Sequence, residues 1–403
     1  MVRFLLCGAV ATYAAFAQTA ADSPRVTSLL QRAIVLDLHD DTTQLILDER
    51  YNIGESHNYG EVDIPRMRKG HVGGLFMSIW TDSERYTPTE SIRRALEEID
   101  AVRSAIAAHP ADLIPATTAA DAVEAHRQGK IAIYMGLEGG HAIDSDLAIL
   151  RTYYALGVRY MTLTHTTNTP WADSSGAKAQ HNGLTDFGRG VVREMNRLGM
   201  MVDISHVSDK TFYDVLATST APVIASHSSC RALATAPRNM TDDMLRALAK
   251  NGGVVHINFY EGFLDTDYAK REAALKGEEA EQKALEDHAP KFGDRTALGP
   301  AERKVDARRI AKLGRLPLGR LLDHFEHAVK IGGIDHVGLG SDFDGADSEF
   351  PTGMEDISKI PNLVAGLIDR GFSDDDILKI LGGNTMRMMK EIEQAAGRGK
   401  AAR

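Results

Sequence analysis

The chain has 403 residues, of which 43% are hydrophobic and 25% are charged, and its formal net charge is −10. Such a composition is that of a globular protein long enough for one large domain, such as a (β/α)8 barrel, or for two smaller ones. An acidic chain without a dense block of Lys and Arg argues against nucleic acid as a partner.

The N-terminus has the features of a signal peptide. A single Arg precedes a mostly apolar stretch over residues 4–16, and Ala15-Phe16-Ala17 fits a small-residue cleavage site. We therefore predict a signal peptide over residues 1–17, export to the periplasm or the exterior, and a mature domain over residues 18–403 without a membrane span. The alternative is an uncleaved anchor, although the apolar stretch is short for one. Cleavage would leave Cys230 as the only cysteine, which excludes an intramolecular disulfide.

Eight apolar runs follow one another, and most are continuously apolar, as expected for parallel strands buried on both faces. The predicted strands are Ala33–Leu38, Gly74–Trp80, Ile131–Met135, Arg159–Leu163, Met200–Ile204, Pro222–Ala225, Gly253–Phe259 and His336–Leu339. The predicted helices between them are Ser91–Ala108, Ala119–Gln128, Asp144–Leu156, Thr185–Leu198, Ser208–Thr218, Thr241–Asn251 and Pro317–Lys330. This alternation predicts an α/β fold of the TIM type, a single-domain (β/α)8 barrel. A doubly wound sheet is the alternative, but the first strand lacks the glycine-rich phosphate turn that such a fold would need.

Two segments fall outside the repeat of strands and helices. Residues 356–396 are predicted to form helices that close the barrel. Leu264–Gly314 is a charged insertion after the seventh strand, which a barrel would place on its C-terminal, functional face. We expect this insertion to contribute to the substrate entrance or to a subunit contact. A solvated helical decoration is the alternative.

The first predicted strand ends in a candidate metal-binding pair. His39 and Asp41 are two residues apart, so in an extended chain their side chains point to the same face. An imidazole beside a carboxylate provides half of a divalent-metal site. The triplet alone is weak evidence, but later strands also end in His, Glu or Asp and would complete the site.

Glu138 and His165 follow the third and fourth predicted strands. Glycines on both sides of Glu138 allow a ligand to approach closely. Its two oxygens could bridge two metal ions ~3.5–4 Å apart, as in two-metal hydrolases, whereas the alternative is an exposed Glu in a glycine-rich turn. The turn after His165 is dense in Thr, Asn and Trp, a composition that is typical of a pocket wall.

Two successive strands end in the same Ser-His pair, at His206 and His227, which favours a shared set of ligands over two unrelated core histidines. Arg238 follows in a loop and could hold a substrate carboxylate bidentately, the alternative being a surface salt bridge. Asp342 ends the eighth strand. Its Asp-x-Asp-Gly sequence lacks the later acidic positions of an EF-hand. A proton carrier is the role that fits this position instead.

Taken together, these motifs resemble the membrane dipeptidase (renal dipeptidase) family of the metal-dependent amidohydrolase superfamily, from about Ile34 to Met389. The matching motifs are His39-x-Asp41, Gly-Leu-Glu138-Gly-Gly-His, Leu-Thr-His165 through Asn-Thr-Pro-Trp-Ala-Asp173, Asp-Ile-Ser-His206, Ser-His227-Ser-Ser, Arg238-Asn239 and Gly-Ser-Asp342-Phe-Asp-Gly. The insertion breaks the match and is longer than in the animal members, so their substrate preference does not carry over. Asp40 also departs from the family, where Asn is common.

The resemblance implies a barrel that binds two zinc ions per chain. By the family pattern, one ion takes His39 and Asp41, the other takes His206 and His227, and Glu138 bridges them. This assignment is the prediction for the metal site.

The resemblance also implies which residues handle the substrate. His165 and Asp342 would be catalytic, Asp342 by taking a proton from the nucleophilic water and passing it to the leaving amine. Both would also contact the substrate, together with Arg238 and Tyr260.

The predicted function is therefore a zinc dipeptidase that hydrolyses the peptide bond of dipeptides through a metal-activated hydroxide, including dipeptides with a C-terminal D-residue. One alternative is another amidohydrolase, acting on N-acyl amino acids, lactams or lactones. A catalytically silent binding protein is a further alternative, against which the complete set of ligand residues counts. A homodimer is possible.

Overall fold

A computed structural model describes residue 21 and residues 23–401, so the predicted signal peptide lies outside the described residues. The strands, all paired in parallel, are β1 Val35–Asp40, β2 Val72–Trp80, β3 Leu113–Pro115, β4 Ile131–Glu138, β5 Val158–Thr162, β6 Met201–Asp203, β7 Ile224–Ala225, β8 Val254–Ile257 and β9 Val337–Leu339. Eight of them close into a ring in the order β1-β2-β4-β5-β6-β7-β8-β9, and β3 pairs with the beginning of β4 outside that ring. The predicted barrel is confirmed, and the doubly wound alternative is wrong.

Helices surround this barrel. They are α1 Pro24–Arg32, α2 Thr42–Asp48, α3 Ile64–Lys69, α4 Pro88–Ala108, α5 Ala119–Arg127, α6 Leu147–Leu156, α7 Asp186–Leu198, α8 Asp209–Thr218, α9 Asp242–Asn251, α10 Glu261–Leu264, α11 Thr266–Glu272, α12 Lys276–His288, α13 Gly299–Leu313, α14 Leu318–Gly332, α15 Ile360–Asp369, α16 Asp374–Leu378 and α17 Asn384–Ala401. Within the described residues, no helix is both long and apolar enough to span a membrane.

Most predicted boundaries are confirmed to within a few residues, and α6 shows why some move. The predicted helix began at Asp144, but Asp144 and Ser145 have left-handed backbone angles, with φ of 46° and 55°. The helix begins at Leu147. Asp146 caps it, because its side chain accepts a hydrogen bond from the Ala148 backbone N–H. Such a side-chain cap satisfies a donor that the first helical turn leaves free.

The barrel interior is filled by aromatic rings. Phe76 of β2 stacks on Tyr134 of β4 with ring centroids 4.4 Å apart, and Tyr160 of β5 lies 5.7 Å from Phe76. Gly136 makes room for Tyr160, because a Cβ at this position would overlap the phenol ring. The interior is therefore a packed core, as in other barrels of this type, and its upper layer carries the site.

The ends of the barrel are covered by the two segments outside the repeat. From α17, Met388, Met389 and Ile392 pack against the interior cluster of the barrel, so the predicted closing helices are confirmed. The insertion folds into α11, α12 and α13 and crosses to the α2 and α4 side. There Arg303 pairs with Glu49 at 2.7 Å and Arg295 with Asp48 at 2.7 Å. These ion pairs hold the insertion across the C-terminal face of the barrel.

Arg309 of α13 contacts three carboxylates, Glu272 within the insertion and Asp347 and Glu349 in the loop that follows β9. Its Nε lies 2.9 Å from Glu349 Oε1, its Nη2 2.9 Å from Glu272 Oε1 and its Nη1 3.3 Å from Asp347 Oδ2. Arg309 and Glu349 are both buried. A buried carboxylate that loses its cation has little water to replace it, so this contact matters to stability.

We expect Arg309→Met to lower the free energy of unfolding by ~3–5 kcal/mol, because it leaves buried charges unpaired. The matched control is Arg308→Met on the same helix. Arg308 pairs with Glu281 in a salt bridge whose side chains are 45% and 53% exposed, so its loss should cost less than ~1 kcal/mol. Chemical denaturation of the two variants measures the difference, and equal midpoints would contradict the structural role of Arg309.

Candidate active site

The predicted metal ligands converge at the C-terminal ends of the barrel strands. His39 lies near the end of β1, Asp41 directly follows that strand, and Glu138 is the last residue of β4. His206 and His227 follow β6 and β7 by three and two residues. All five side chains are buried, with at most 9% of each residue exposed. The ends of parallel strands meet at one face of a barrel, which is why residues far apart in sequence come together here.

Glu138 is the centre of this group. Its Oε1 lies 3.0 Å from His206 Nε2 and 3.3 Å from His227 Nε2, while its Oε2 lies 3.3 Å from His39 Nε2. The two carboxylate oxygens therefore face different histidines. Ser78 on the neighbouring β2 donates a hydrogen bond of 3.3 Å to Oε2 and fixes the carboxylate from behind.

His39 also faces two other carboxylates. Its Nε2 lies 3.3 Å from Asp41 Oδ2 and 3.7 Å from Asp342 Oδ1. The alternation along β1 thus brings His39 and Asp41 to one face, as the sequence predicted. Asp342 comes close enough that geometry alone does not separate a ligand from a proton carrier.

The other ring nitrogens of two histidines are held from outside the group. His39 Nδ1 lies 2.6 Å from the Tyr160 hydroxyl, and His227 Nδ1 lies 2.8 Å from the Ser226 hydroxyl. Partners at Nδ1 fix the orientation of each ring and leave Nε2 for the centre, the arrangement found around metal-bound histidines.

The donor set fits divalent metal ions. His39 Nε2 is buried and has no hydrogen-bond partner. The Nε2 atoms of His206 and His227 are 2.9 Å apart and face the same oxygen of Glu138. Without a metal, two neutral imidazoles can share only one hydrogen bond between these nitrogens. A cation would instead accept the lone pairs of both nitrogens and of the carboxylate oxygen. Imidazole nitrogens mixed with carboxylate oxygens suit zinc and related ions.

Strained backbone also marks the site. His206 and Asp342 have left-handed angles, with φ of 64° and 67°, a conformation that residues other than glycine adopt at a cost. Such strain gathers where the surrounding structure must aim a side chain. The pKa of Asp342 is raised to about 6, mainly by burial, and the neighbouring Asp41 and Glu138 also raise it, while His39 and the Asn258 amide act to lower it.

A family model described as membrane dipeptidase, peptidase family M19, matches residues 23–403. The chain belongs to this family. A dipeptidase of Schizosaccharomyces pombe that is itself uncharacterised is 35% identical over 392 residues, which cover 92% of this chain and 83% of that relative. The sequence resemblance is thus confirmed, and the protein is a hydrolase of the metallo-dipeptidase class.

Two solved structures have the same fold. The probable dipeptidase PvdM from Pseudomonas aeruginosa is 25% identical, with a TM-score of 0.78 over 94% of this chain and 99% of that one. A metallopeptidase from Rhodobacter sphaeroides, liganded with a phosphinate mimic of the dipeptide L-Ala-D-Ala, is 26% identical, with a TM-score of 0.74 over 89% of this chain and 99% of that one.

In this member of the membrane dipeptidase family, the side chains predicted to bind substrate lie beside the five predicted metal ligands, which are called the metal group below. His165 Nε2 is 3.7 Å from Glu138 Oε1, and the His165 ring meets Trp80 edge-on with centroids 5.5 Å apart. Arg238 donates to the Ser228 hydroxyl at 3.1 Å and to the His227 carbonyl at 2.9 Å. In the described part of the chain, no carboxylate lies within ion-pair distance of Arg238, so the surface salt bridge considered as an alternative is wrong.

Tyr260 is connected to the insertion. Its hydroxyl donates to the carboxylate of Glu272 on α11, which in turn accepts a hydrogen bond from Arg309 on α13. The sequence did not point to Glu272 or Arg309, because each stands among many other charged residues of the insertion. Only the fold shows that they reach a residue of the pocket.

A cavity of about 460 Å³ lies over the metal group. Glu138, His165 and Tyr260 line it from the barrel, and Glu286, Glu302 and Asp306 line it from the insertion. A space of this size suits a small ligand. The insertion is thus part of the wall of the cavity, as expected for a segment on this face of a barrel.

Asp40, which departs from the family pattern, lies behind the site. Its Oδ1 accepts a hydrogen bond of 3.1 Å from the Thr42 backbone N–H. Complete burial and the nearby Asp344 raise the pKa of Asp40 well above the usual range of a carboxyl group. Burial beside another carboxylate therefore disfavours the charged form of Asp40.

Proposed function

We propose that this protein hydrolyses the single peptide bond of dipeptides, with two zinc ions per chain, and that its substrates include dipeptides with a C-terminal D-residue. The observation that carries the proposal is the convergence of three histidines, His39, His206 and His227, on the two oxygens of Glu138, with Asp41 beside His39. The nearby Arg238, which has no ion-pair partner in the described residues, supplies the second feature that a dipeptidase needs.

In this proposal, His39 and Asp41 would hold one ion, His206 and His227 would hold the other, and Glu138 would be a ligand of both. When bound, the ions polarise the carbonyl group of the substrate and lower the pKa of water from ~15.7 to near 7. The mixed nitrogen and oxygen donors support zinc.

The protein's own residues place the substrate and move its protons. Arg238 binds the C-terminal carboxylate, which excludes interior peptide bonds because these have no carboxylate at that place. His165 donates to the oxygen of the scissile carbonyl group. Asp342 accepts a proton from the attacking water and delivers it to the leaving nitrogen. Tyr260 lines the same cavity and contacts the substrate.

Support for D-residues comes from the metallopeptidase of Rhodobacter sphaeroides, whose ligand mimics L-Ala-D-Ala. Export rests on the sequence of residues 1–17. N-terminal sequencing of the protein from its native host tests export, because a mature chain that begins at residue 18 requires cleavage after Ala17. The homodimer stays a prediction, and the molecular mass measured by light scattering tests it.

The function is tested with a panel of dipeptides, N-acyl amino acids and lactams, assayed on protein stripped of metal and again after zinc is added. Hydrolysis of dipeptides that returns with zinc supports the proposal. Hydrolysis of the N-acyl amino acids or lactams alone would identify a different amidohydrolase. If no substrate of any class is hydrolysed, the alternative of a catalytically silent binding protein is the one that remains.

We expect Arg238→Met to lower kcat/KM for L-Ala-D-Ala roughly 30- to 300-fold, mainly through KM, because a buried charge pair to the carboxylate is lost. The C-terminal amide of the same dipeptide is the internal control. The parent protein should prefer the free acid, and the variant should treat acid and amide alike. A preference for the acid that survives in Arg238→Met would contradict carboxylate binding by this residue.

A further inference from the structure

Asn258 directly follows β8 and lies between two parts of the site. Its Nδ2 donates a hydrogen bond of 2.8 Å to Asp342 Oδ2, and its Oδ1 accepts one of 2.7 Å from the Tyr260 backbone N–H. The residue is fully buried. Asn258 belongs to none of the motifs in the sequence, although its place at the end of a strand matches that of the predicted ligands.

The contact with Tyr260 determines which way the Asn258 amide points. A backbone N–H only donates, so the atom that faces it must be the amide oxygen. The NH2 group is therefore the one that faces Asp342, and it can only donate. Asp342 Oδ2 must act as an acceptor in this contact.

The backbone around Asn258 is fixed as well. The Ser229 hydroxyl donates to its carbonyl oxygen at 3.1 Å, and its own N–H lies 3.4 Å from the Ser228 carbonyl oxygen. The next residue, Phe259, donates to the Ser341 carbonyl at 3.2 Å, which joins the ends of β8 and β9. Asn258 thus has little freedom to follow a movement of Asp342.

We propose that Asn258 is a positioning residue for the proposed dipeptidase reaction, because it holds Asp342 by Oδ2 and so aims Oδ1 at the metal group. Oδ1 is the oxygen 3.7 Å from His39 Nε2. The proton that leaves the attacking water then binds Oδ1. The O–H bond of the water breaks, the O–H bond of the carboxyl group forms, and the water oxygen bonds to the carbonyl carbon of the substrate. That proton passes from Oδ1 to the nitrogen of the leaving amine when the C–N bond breaks.

Two variants test this role. Asn258→Leu removes both hydrogen bonds at similar volume, whereas Asn258→Asp keeps the acceptor for the Tyr260 N–H and replaces only the donor that faces Asp342. A hydrogen bond to a charged group is lost in both, so we expect kcat to fall about 10- to 100-fold while KM changes less than about twofold. Metal content should equal that of the parent.

The matched control is Asn251→Asp at the opposite end of the barrel. Asn251 also accepts a backbone N–H, from Val223 at 2.8 Å, and donates to a carbonyl group, that of Ala221 at 3.4 Å. Because Asn251 lies far from the metal group, its variant should keep the parent kcat. A fall of kcat in this control equal to that in Asn258→Asp would show a general effect of replacing a hydrogen-bonded Asn by Asp and overturn the proposal.

A crystal structure of Asn258→Leu adds a measurement that does not depend on activity. We expect the Asp342 carboxylate to rotate away from the metal group. An unchanged carboxylate together with an unchanged kcat, or a loss of kcat that only follows loss of metal, would overturn the positioning role. The proposed dipeptidase function fails separately, if the parent protein loaded with zinc hydrolyses no dipeptide.

Discussion

Asp342→Asn is expected to lower kcat by about 10²–10⁴-fold, the usual contribution of a positioned proton carrier, while the protein keeps its fold and its metal. The carboxylate is only 14% exposed, is held by Asn258 at 2.8 Å, and has its Oδ1 3.7 Å from His39 Nε2. An amide at this position keeps the shape of the side chain but cannot accept the proton. The measurement combines kcat with elemental analysis of the purified variant.

The metal content decides between the two roles that the geometry leaves open for Asp342. In the proposed site, five other side chains would provide the ligands, and a catalytic zinc ion keeps one position open for water. We therefore expect metal content equal to that of the parent. Loss of one ion would make Asp342 a ligand, and an unchanged kcat would assign the proton to another group, such as His165.

Asp344→Asn is the matched control for this variant. It removes a carboxylate two residues away in the same loop. The Asp344 side chain also lines the cavity, but it accepts hydrogen bonds from the Glu61 backbone N–H at 2.6 Å and from the Thr42 hydroxyl, so both of its oxygens are already engaged. Its kcat should stay within a few-fold of the parent.

The barrel could be predicted because strands that are buried on both faces have continuously apolar sequences. The strand ends could be predicted less well. Glu138 was expected just beyond its strand, yet it is the last residue of β4, because it pairs with Trp80 of β2 and with Thr162 of β5. Ladder hydrogen bonds to two neighbours extend a strand beyond the point where its apolar run ends.

The residues that orient the site were not predictable from the sequence. Asn258 meets Asp342 only because of the register between β8 and β9, which pairs Ile257 with Leu339. Tyr160 reaches His39 only because Gly136 leaves space for its ring. Neither contact has a local signal, since the partners lie 84 and 121 positions apart in the chain.

Glu138→Ala is expected to abolish most zinc binding at both positions, because the two oxygens of this carboxylate face different histidines. Oε1 lies 3.0 Å from His206 Nε2, and Oε2 lies 3.3 Å from His39 Nε2. The variant should bind less than about one zinc ion per chain where a two-metal site would bind about two. Equilibrium dialysis of metal-free protein against zinc, followed by elemental analysis, gives both numbers.

Two further variants show whether this loss comes from bridging. His39→Ala removes a side chain on one side of Glu138 and should weaken mainly one ion. His141→Ala removes a nearby histidine whose Nε2 lies 2.7 Å from the Thr81 hydroxyl and does not join the metal group, so its zinc content should not change. Full metal content in Glu138→Ala would remove the bridging role.

Thermal unfolding gives a second readout for Glu138 that needs no substrate. An ion that binds only the folded chain raises stability by RT ln(1 + [L]/Kd), so 100 Kd of free zinc adds about 2.7 kcal/mol per site. Zinc should therefore raise the Tm of the parent protein most, because two sites bind it. The rise should be smaller in His39→Ala, where about one site remains, and smallest in Glu138→Ala, where both sites are weakened. The carboxylate faces three histidines in the metal-free protein, and removal of one partner from buried ionic contacts destabilises a fold. Metal-free Glu138→Ala should therefore melt below the metal-free parent. The rise of Tm on adding zinc, measured for each protein against its own metal-free form, then separates loss of the metal from loss of stability.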